Sequence, residues 1–552
     1  MATTIRKIAV GALALASLLD VRCCASEANA LDPAILAKLE ELKAKFEHLK
    51  ADRASALKSV REQGAGQEHL LQDHLARLEA SSGRSLHSAA TMTAADDGIA
   101  WNTGNEIANA AAIADLQPAG NHTWLLLCGA LVMFMQAGFA MVEAGACRSR
   151  NVQNILMKNI FDVCVGTSCW WAVGWTLAYG VGSGENHGFA NDEQYFGTEF
   201  TQVDSNGKFT MSGDLMLNWF FQWAFCSASA TIVSGGVAER VKFPGYLIFT
   251  ICMTSWIYPV VAHWTWGYGW LSGGDTYQVN GVGFMDFAGS GIVHMCGGVA
   301  ALVGAAVVGP RKGRFRTDES FDPHSLPLVV LGTFILWFGW YGFNCGSTLS
   351  MASSAKGTMA ALVAMNTTLS GATAGLAVLM LRRWTSGKFD VGGMCSGILA
   401  GLVSITAGCG NVECGSAVLI GFIGALVYSA CSSAVLRLCI DDPLDAFAVH
   451  GACGAWGVIA AALFDFGTGI NFFNGFSGWD CVGGAPNCTA YAWSQALTAN
   501  VLEVFCIAGW SAGWSLFLFL PLRVAGLLRA PDEIQDTGMD HAKHSPTGAY
   551  SM

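Results

Sequence analysis

Asp286-Phe287-Ala288-Gly289-Ser290-Gly291-Ile292-Val293-His294 places a histidine inside a long apolar segment, and Asp442-Pro443-Leu444-Asp445-Ala446-Phe447-Ala448-Val449-His450 does the same further along the chain. In both, eight residues separate the first aspartate from the histidine, a valine precedes the histidine, and a glycine follows four residues later (Gly298, Gly454). If each aspartate marks a helix start at a membrane face, eight residues at roughly 1.5 Å each carry the imidazole about 12 Å inward. That depth is near the middle of a hydrocarbon core about 30 Å thick. Two helices entering from opposite faces would then bring both rings together at the midplane, the arrangement expected of an inverted repeat in a membrane transporter.

The surrounding composition supports a polytopic membrane protein. The chain has 552 residues, 53% of them hydrophobic and only 13% charged, which departs from soluble globular usage. Its 66 glycines suit close packing of helices in lipid. Eleven apolar segments are long enough to cross a bilayer, at 122–145, 158–182, 215–237, 246–271, 287–309, 326–346, 357–381, 391–409, 415–437, 446–466 and 495–522. The fold class expected is therefore all-α and polytopic. A net charge of -11 argues against nucleic-acid binding.

Basic residues set the orientation. Arg148, Arg150 and Lys158 follow the first segment, Arg240 and Lys242 the third, Arg311, Lys312, Arg314 and Arg316 the fifth, Arg382, Arg383 and Lys388 the seventh, Arg437 the ninth, and Arg523 and Arg529 the eleventh. The alternate loops carry mainly Lys208 and Lys356. This places the N-terminus outside and the C-terminus in the cytoplasm.

Residues 1–30 read as a signal peptide, with Arg6 and Lys7 before an apolar run and Ala28-Asn29-Ala30 as a cleavage site; an uncleaved anchor is the alternative. Residues 31–80 show a heptad seam through Leu39, Phe46 and Val60, interrupted by Arg53, which suits either an amphipathic helical hairpin or a short extracellular coiled coil. Residues 81–120 read as a linker, 121–523 as the membrane domain and 524–552 as a cytoplasmic tail. Most of the 19 cysteines fall inside apolar segments and behave as small apolar residues. Two loop pairs are candidates either for disulfides or for free thiols: Cys409 with Cys414, and Cys481 with Cys488 beside a glycosylation sequon at Asn487.

The motifs taken together resemble the ammonium transporter (Amt/MEP/Rh) family, in its Amt branch, from about residue 120 to 550. They are Gly138-Phe139-Ala140-Met141-Val142-Glu143-Ala144-Gly145, Phe221-Gln222-Trp223-Ala224-Phe225, Gly236-Val237-Ala238-Glu239-Arg240, Ala262-His263-Trp264-Thr265-Trp266-Gly267, Gly339-Trp340-Tyr341-Gly342-Phe343-Asn344-Cys345-Gly346-Ser347 and the two aspartate-histidine stretches. The resemblance implies a five-plus-five inverted repeat with one extra helix, a homotrimer in the plasma membrane, and one pore per protomer. It implies an outer cation site at Phe225, Trp266 and Ser347 with Phe221 nearby, a gate of Phe225 and Phe343, pore histidines His294 and His450, and structural support from Asp286 and Asp445. The tail resembles the family's regulatory tail, but Ala542 stands where plant members carry a phosphorylatable threonine, leaving Thr537, Ser545 and Thr547 as candidate sites.

The chemistry of these residue types fits that reading. Aromatic faces attract a small cation, and the Ser347 hydroxyl accepts a hydrogen bond from it. Two phenylalanines beyond that point resist any hydrated ion, because a charge in hydrocarbon costs about 3 kcal/mol or more. A neutral histidine pair shares one proton, each ring donating on one side and accepting on the other. Neither a cofactor nor a metal nor enzymatic activity is expected; the partners are ammonium, with methylammonium as an open alternative, and the lipid bilayer. An ammonium receptor with little conduction and a membrane haem enzyme are the competing readings. Taken alone, Trp266 and Phe225 would be packing aromatics and Ser347 a packing serine.

Overall fold

The computed structural model describes residues 97–180, 188–203, 206–272, 283–316, 320–465, 493–546 and 548–550, with side chains from 116 in the first helix and from 495 in the last long one. The predicted signal peptide, the 31–80 segment, and Cys481, Asn487 and Cys488 lie outside the described residues. By internal contacts the chain divides into Met1–Ala108 and Asn109–Met552, and the second unit contains the helical bundle.

Apolar residues and glycines leave the backbone little choice in lipid, since every N–H and C=O must find a partner within the segment and only a helix supplies one. The long helices are α1 (Asp97–Ala146), α2 (152–179), α3 (Gly213–Val237), α4 (Phe243–Thr265), α5 (Ser290–Val308), α6 (Leu326–Gly346), α7 (Ser354–Ser386), α8 (Val391–Thr406), α9 (Cys414–Arg437), α10 (Phe447–Leu463) and α11 (Trp493–Val524). A small hairpin pairs Thr201–Val203 with Phe209–Met211 ahead of α3. Among the described residues seven helices are long and apolar enough to cross a membrane by length and composition, and α8 and α10 are apolar but shorter. The other two, α2 and α3, carry buried polar side chains, among them Lys158, Asp162, Thr231 and Ser234.

Several expectations change here. Lys158 is not a loop cation but lies buried in α2. The segment assigned to a linker is helical from Asp97 onward. Five alanines between Ala108 and Ala114 favour helix over coil, a local propensity that the overall composition of 81–120 conceals. Of the two alternatives left open for Cys409 and Cys414, the free thiols hold, Cys409 fully buried with its Sγ donating to the Thr406 carbonyl.

Glycines set how the helices meet. Along α1 and α6, a Cβ on Gly145 would strike Val329, one on Gly332 would strike Val142, one on Gly339 would strike Met135, and one on Gly346 would strike Cys128. The pairing runs in opposite directions, so these two helices are antiparallel along their whole contact. The same relation joins α5 to α10. Gly298 faces the Gly451 backbone, and Gly454 faces the Ser290 carbonyl and the Met295 amide. The first helices of two halves thus pair with each other, and the last ones do likewise, as an inverted repeat requires.

Basic loops gather at one end of the bundle. Glu239 accepts from Arg148 and Arg311 at 2.5 Å each and from Asn151 at 2.7 Å, and Asp441 accepts from Arg311 at 2.8 Å. Burial by itself would raise both carboxyls, but the guanidinium groups outweigh it and hold them below the usual carboxylate range. The tail helices α12 (Asp532–Thr537) and α13 (Met539–Lys543) dock on this layer. Asp540 accepts the amides of Gln153 and Asn154 at the start of α2, Met539 donates to Asn151, and Lys312 pairs with Asp536 at 2.5 Å.

If the crossing glycines fix the bundle, Gly298→Ala forces α5 from α10 and lowers stability by about 1–3 kcal/mol. Gly357→Ala, where an added Cβ meets nothing within 4 Å, is expected to be neutral or stabilising by about 0.5 kcal/mol. Melting temperatures of the two purified variants check the ranking, and equal values would contradict it.

Candidate functional site

His294 owes its position to an unusual helix start. Gly289 adopts φ 102°, and its Cα faces Trp266 and Val293 with no space for a side chain. The Asp286 carboxylate then receives four backbone amides: Gly289 and Ser290 on Oδ1 at 2.8 Å each, Gly291 and Ile292 on Oδ2 at 2.8 and 3.1 Å. A helix leaves its first amides without partners, and one buried side chain satisfies them all here. The chain next winds as a π-helical turn, Ser290–Met295, that contains the histidine. Asp286 thus caps the helix start, but the eight-residue helical rise expected between Asp286 and His294 does not exist. The helix begins only at Ser290.

The second half repeats the device with a different division of labour. The Asp442 Oδ2 accepts the Phe447 amide at 2.8 Å, and His450 lies in the π-helical turn Phe447–Ala452. Asp445 does not cap; with φ 53° it turns aside and accepts the hydroxyls of Tyr428 and Ser432 on α9 at 2.9 Å each. Its support of the site is therefore indirect, and Asp442 is the true counterpart of Asp286. Such π-helical turns recur at functional positions because they displace a side chain from the regular helical path.

The two rings meet. His450 Nδ1 is 3.2 Å from His294 Nδ1, and the ring centroids are 5.2 Å apart. One of the two Nδ1 atoms carries the proton of that hydrogen bond and the other accepts it, which leaves the Nε2 atoms with opposite characters. Both rings are buried, and among the described residues the His294 Nε2 has no hydrogen-bond partner.

Aromatic rings continue the line on one side. His294 stacks on Phe343 at 5.3 Å and on Trp340 at 4.9 Å, and Phe343 lies 4.1 Å from Phe225, centroid to centroid. Phe225 in turn contacts Phe221 at 4.8 Å and the edge of Trp266 at 5.9 Å. Phe221, Phe225 and Phe343 are almost completely inaccessible, whereas Trp266 and Ser347 are half-buried. The Trp266 indole is oriented by its N–H bond to the Asp286 carbonyl at 2.9 Å, which ties the outer ring to the helix that carries His294. Ser347 follows the last residue of α6 and donates its hydroxyl proton to the Phe343 carbonyl at 2.9 Å, which leaves the oxygen free to act as an acceptor only.

On the other side of the pair lies a cavity of about 170 Å³ bordered by His450, Phe139, Glu143, Thr231, Ser396 and Asp445. Phe139 contacts the His450 ring at 6.2 Å. His263, away from this line, is buried with Nδ1 3.1 Å from the Ala178 carbonyl.

Trp340 and Phe139 stand within the sequence motifs, yet nothing local to those motifs shows their contact with the histidines. Trp340 is held by its N–H bond to Thr406 at 2.9 Å, a partner on another helix that no local pattern reveals. Glu503 is absent from the sequence-based site altogether. Its carboxyl lies against Gly291 on α5, fully buried, and among the described residues neither oxygen has a hydrogen-bond partner. A lone glutamate inside an apolar segment is the signal that marks it. Among the described residues no group of three or more His, Cys, Asp or Glu is arranged to hold a metal ion.

A profile described as the Ammonium Transporter Family matches residues 123–550. Putative ammonium transporter 1 of Caenorhabditis elegans is 38% identical over 444 residues, spanning 78% of this chain and 79% of that one. Ammonium transporter Amt2 of Archaeoglobus fulgidus is 37% identical over 435 residues, with 76% and 86% covered. Among solved structures, one described as "Sensor Amt Protein" superposes with a TM-score of 0.66 at 31% identity, covering 78% of this chain and 99% of that one. Candida albicans Mep2 superposes at 0.65 and 25% identity, covering 78% and 93%.

Removing the cap should unsettle the first turn of α5. Asp286→Ala leaves four buried amides without their acceptor, for an expected loss of about 3 kcal/mol or more, and Asp286→Asn, which keeps one good acceptor oxygen, should fall between. Thermal melting of the purified variants tests this, and an unchanged Asp286→Ala would contradict the capping role.

Proposed function

This chain belongs to the ammonium transporter family, and we propose that it takes up ammonium across the plasma membrane as a homotrimer with one pore in each protomer. The observation that carries this reading is the unbroken line of Phe225, Phe343, His294 and His450, packed ring against ring at one end and bordering a cavity at the other.

In this reading ammonium first rests against Trp266, Phe221 and Phe225, whose ring faces attract a cation, and donates a hydrogen bond to Ser347. A sodium ion gains less there, because it gives up tightly held water and has no proton to donate. The contact between Phe225 and Phe343 leaves no room for hydration, so passing an intact cation costs about 3 kcal/mol or more. Loss of a proton before the gate removes that cost. Ammonia then passes the rings, and the separated proton moves through the Nδ1 to Nδ1 bond, each imidazole releasing on one face what it receives on the other. Asp286, Asp442 and Asp445 take no part in the transfer; the first two hold the helix starts that carry the histidines, and Asp445 is engaged by Tyr428 and Ser432 on α9. The tail, docked on loops of its own chain, is placed to report or restrain movement of α2 and α5 at the cytoplasmic end.

A second reading, an ammonium receptor with little conduction, is favoured by the likeness to the structure described as a sensor. It predicts that binding survives damage to the histidines.

Growth on low ammonium of a yeast strain without its own uptake separates the two. The wild-type chain should restore growth, His294→Ala or His450→Ala should lower ammonium-driven current at least about 10-fold, and Phe225→Ala should let hydrated potassium through. A surface-located wild type that neither supports growth nor conducts would favour the receptor.

A further inference from the structure

One ionisable side chain beside the pore has no part in the mechanism above. Glu143 lies on α1 four residues beyond Phe139, so one helical turn, about 5–6 Å, separates it from the ring that contacts His450. Glu143 and His450 border the same cavity. A carboxyl 2% exposed in a membrane helix is costly to keep and marks a functional position unless a partner explains it.

Its partner explains it only in part. Ser234 on α3 donates to Glu143 Oε2 at 2.7 Å, and Lys158 on α2 donates to Ser234 at 3.2 Å. A hydroxyl therefore stands between the carboxylate and the buried cation, and no direct ion pair joins them among the described residues. Behind Lys158 the Tyr246 ring lies 5.1 Å from the ammonium group. The remaining carboxyl, Asp162, is satisfied by the hydroxyls of Tyr246 at 2.5 Å and Thr250 at 2.8 Å. Lys158 thus steadies Glu143 through Ser234 without neutralising it by contact, and the carboxylate keeps access to the cavity. Asp445, the other carboxyl at the cavity, is committed to Tyr428 and Ser432.

We propose that Glu143 is the inner proton acceptor of the pore and, with the cavity below His450, forms a second ammonium site from which the substrate leaves. The proposal rests on the transport reading above. Ammonium loses one proton at the outer end, and ammonia and that proton travel separately. His450 releases the proton through water in the cavity to the Glu143 carboxylate, forming the acid. Ammonia arriving in the cavity takes it back, which restores the carboxylate and forms ammonium. One nitrogen and one proton enter, the same leave, and no other reactant is consumed. Ser234 and Lys158 act as positioning residues, holding the carboxylate where it meets the cavity.

Full-length protein in proteoliposomes tests this by recording ammonium-driven current and, separately, methylammonium competition at the outer face. Glu143→Gln keeps the shape and can still accept from Ser234, but takes no proton. It should lower the current at least about 10-fold while changing the half-saturating ammonium concentration less than about 2-fold, and Glu143→Asp should recover part of the current. Wild-type current from Glu143→Gln would overturn the proposal. If wild type itself passes no current, the transport reading fails instead. Should Glu143→Gln not fold, infrared difference spectra of wild type with and without ammonium must contain a carboxylic-acid band that shifts in Glu143→Asp; its absence would equally overturn the proposal.

Discussion

Two backbones cross at Gly298 and Gly454 with no space for a single methyl group on either. Among the described residues, this crossing is what brings two imidazoles from opposite halves to within 3.2 Å. The helices that cross are the last of each half, and the first of each half pack along a parallel series of glycines in α1 and α6. Close approach of this kind suits lipid, where packing rather than water exclusion holds helices together. The meeting of the two imidazoles thus depends on small residues at the seams, while the large ones, Trp340, Phe343 and Phe225, form the row of rings beside His294.

The path separates two chemistries. From Trp266 to Phe343 it offers ring faces and one acceptor hydroxyl, which suit a cation that can donate hydrogen bonds. Between Phe343 and His450 it offers ring nitrogens and no charge, which suit the neutral base and a proton moving apart from it. Beyond His450 the cavity is lined mostly by apolar side chains, with two carboxyls, Glu143 and Asp445, among them. Under the proposed function, a species that changes its charge twice fits this order, and a hydrated metal ion, which cannot, would meet a barrier between Phe225 and Phe343. The buried arginine and carboxylate layer lies outside this path, tying the loops and tail together. A layer so fully paired is costly to break, because each lost partner strands a buried charge.

Much of this is legible in the sequence. The repeated spacing of aspartate, histidine and glycine locates both helices, and Gly298 and Gly454 are the crossing points themselves. The apolar segments locate most of the long helices to within about six residues, the start of α1 at Asp97 being the exception. Where sequence and structure part, the reasons are local. The distance from Asp286 to His294 converts to helical rise only if the whole stretch is helical, whereas its first four residues form a capping loop with Gly289 in the left-handed region. Asp445 lies nearer the histidine than Asp442 does and so reads as the supporting residue, but only a structure tells which carboxylate turns toward α9. Lys158 reads as a loop charge because a buried lysine has no signature apart from its distant partner, Ser234 on α3. Trp340 and Glu503 depend on contacts with other helices, α8 and α5, and such contacts leave no periodicity to read.

The central claim is that His294 and His450 share one proton between their Nδ1 atoms. Nitrogen-15 resonance of histidine-labelled protein in bilayers measures it most directly, with His294→Gln and His450→Gln samples assigning the signals. The account predicts two neutral rings, one protonated at Nδ1 and the other at Nε2, with a scalar coupling across the Nδ1 to Nδ1 hydrogen bond. Two rings of the same tautomer, without coupling between them, would contradict it.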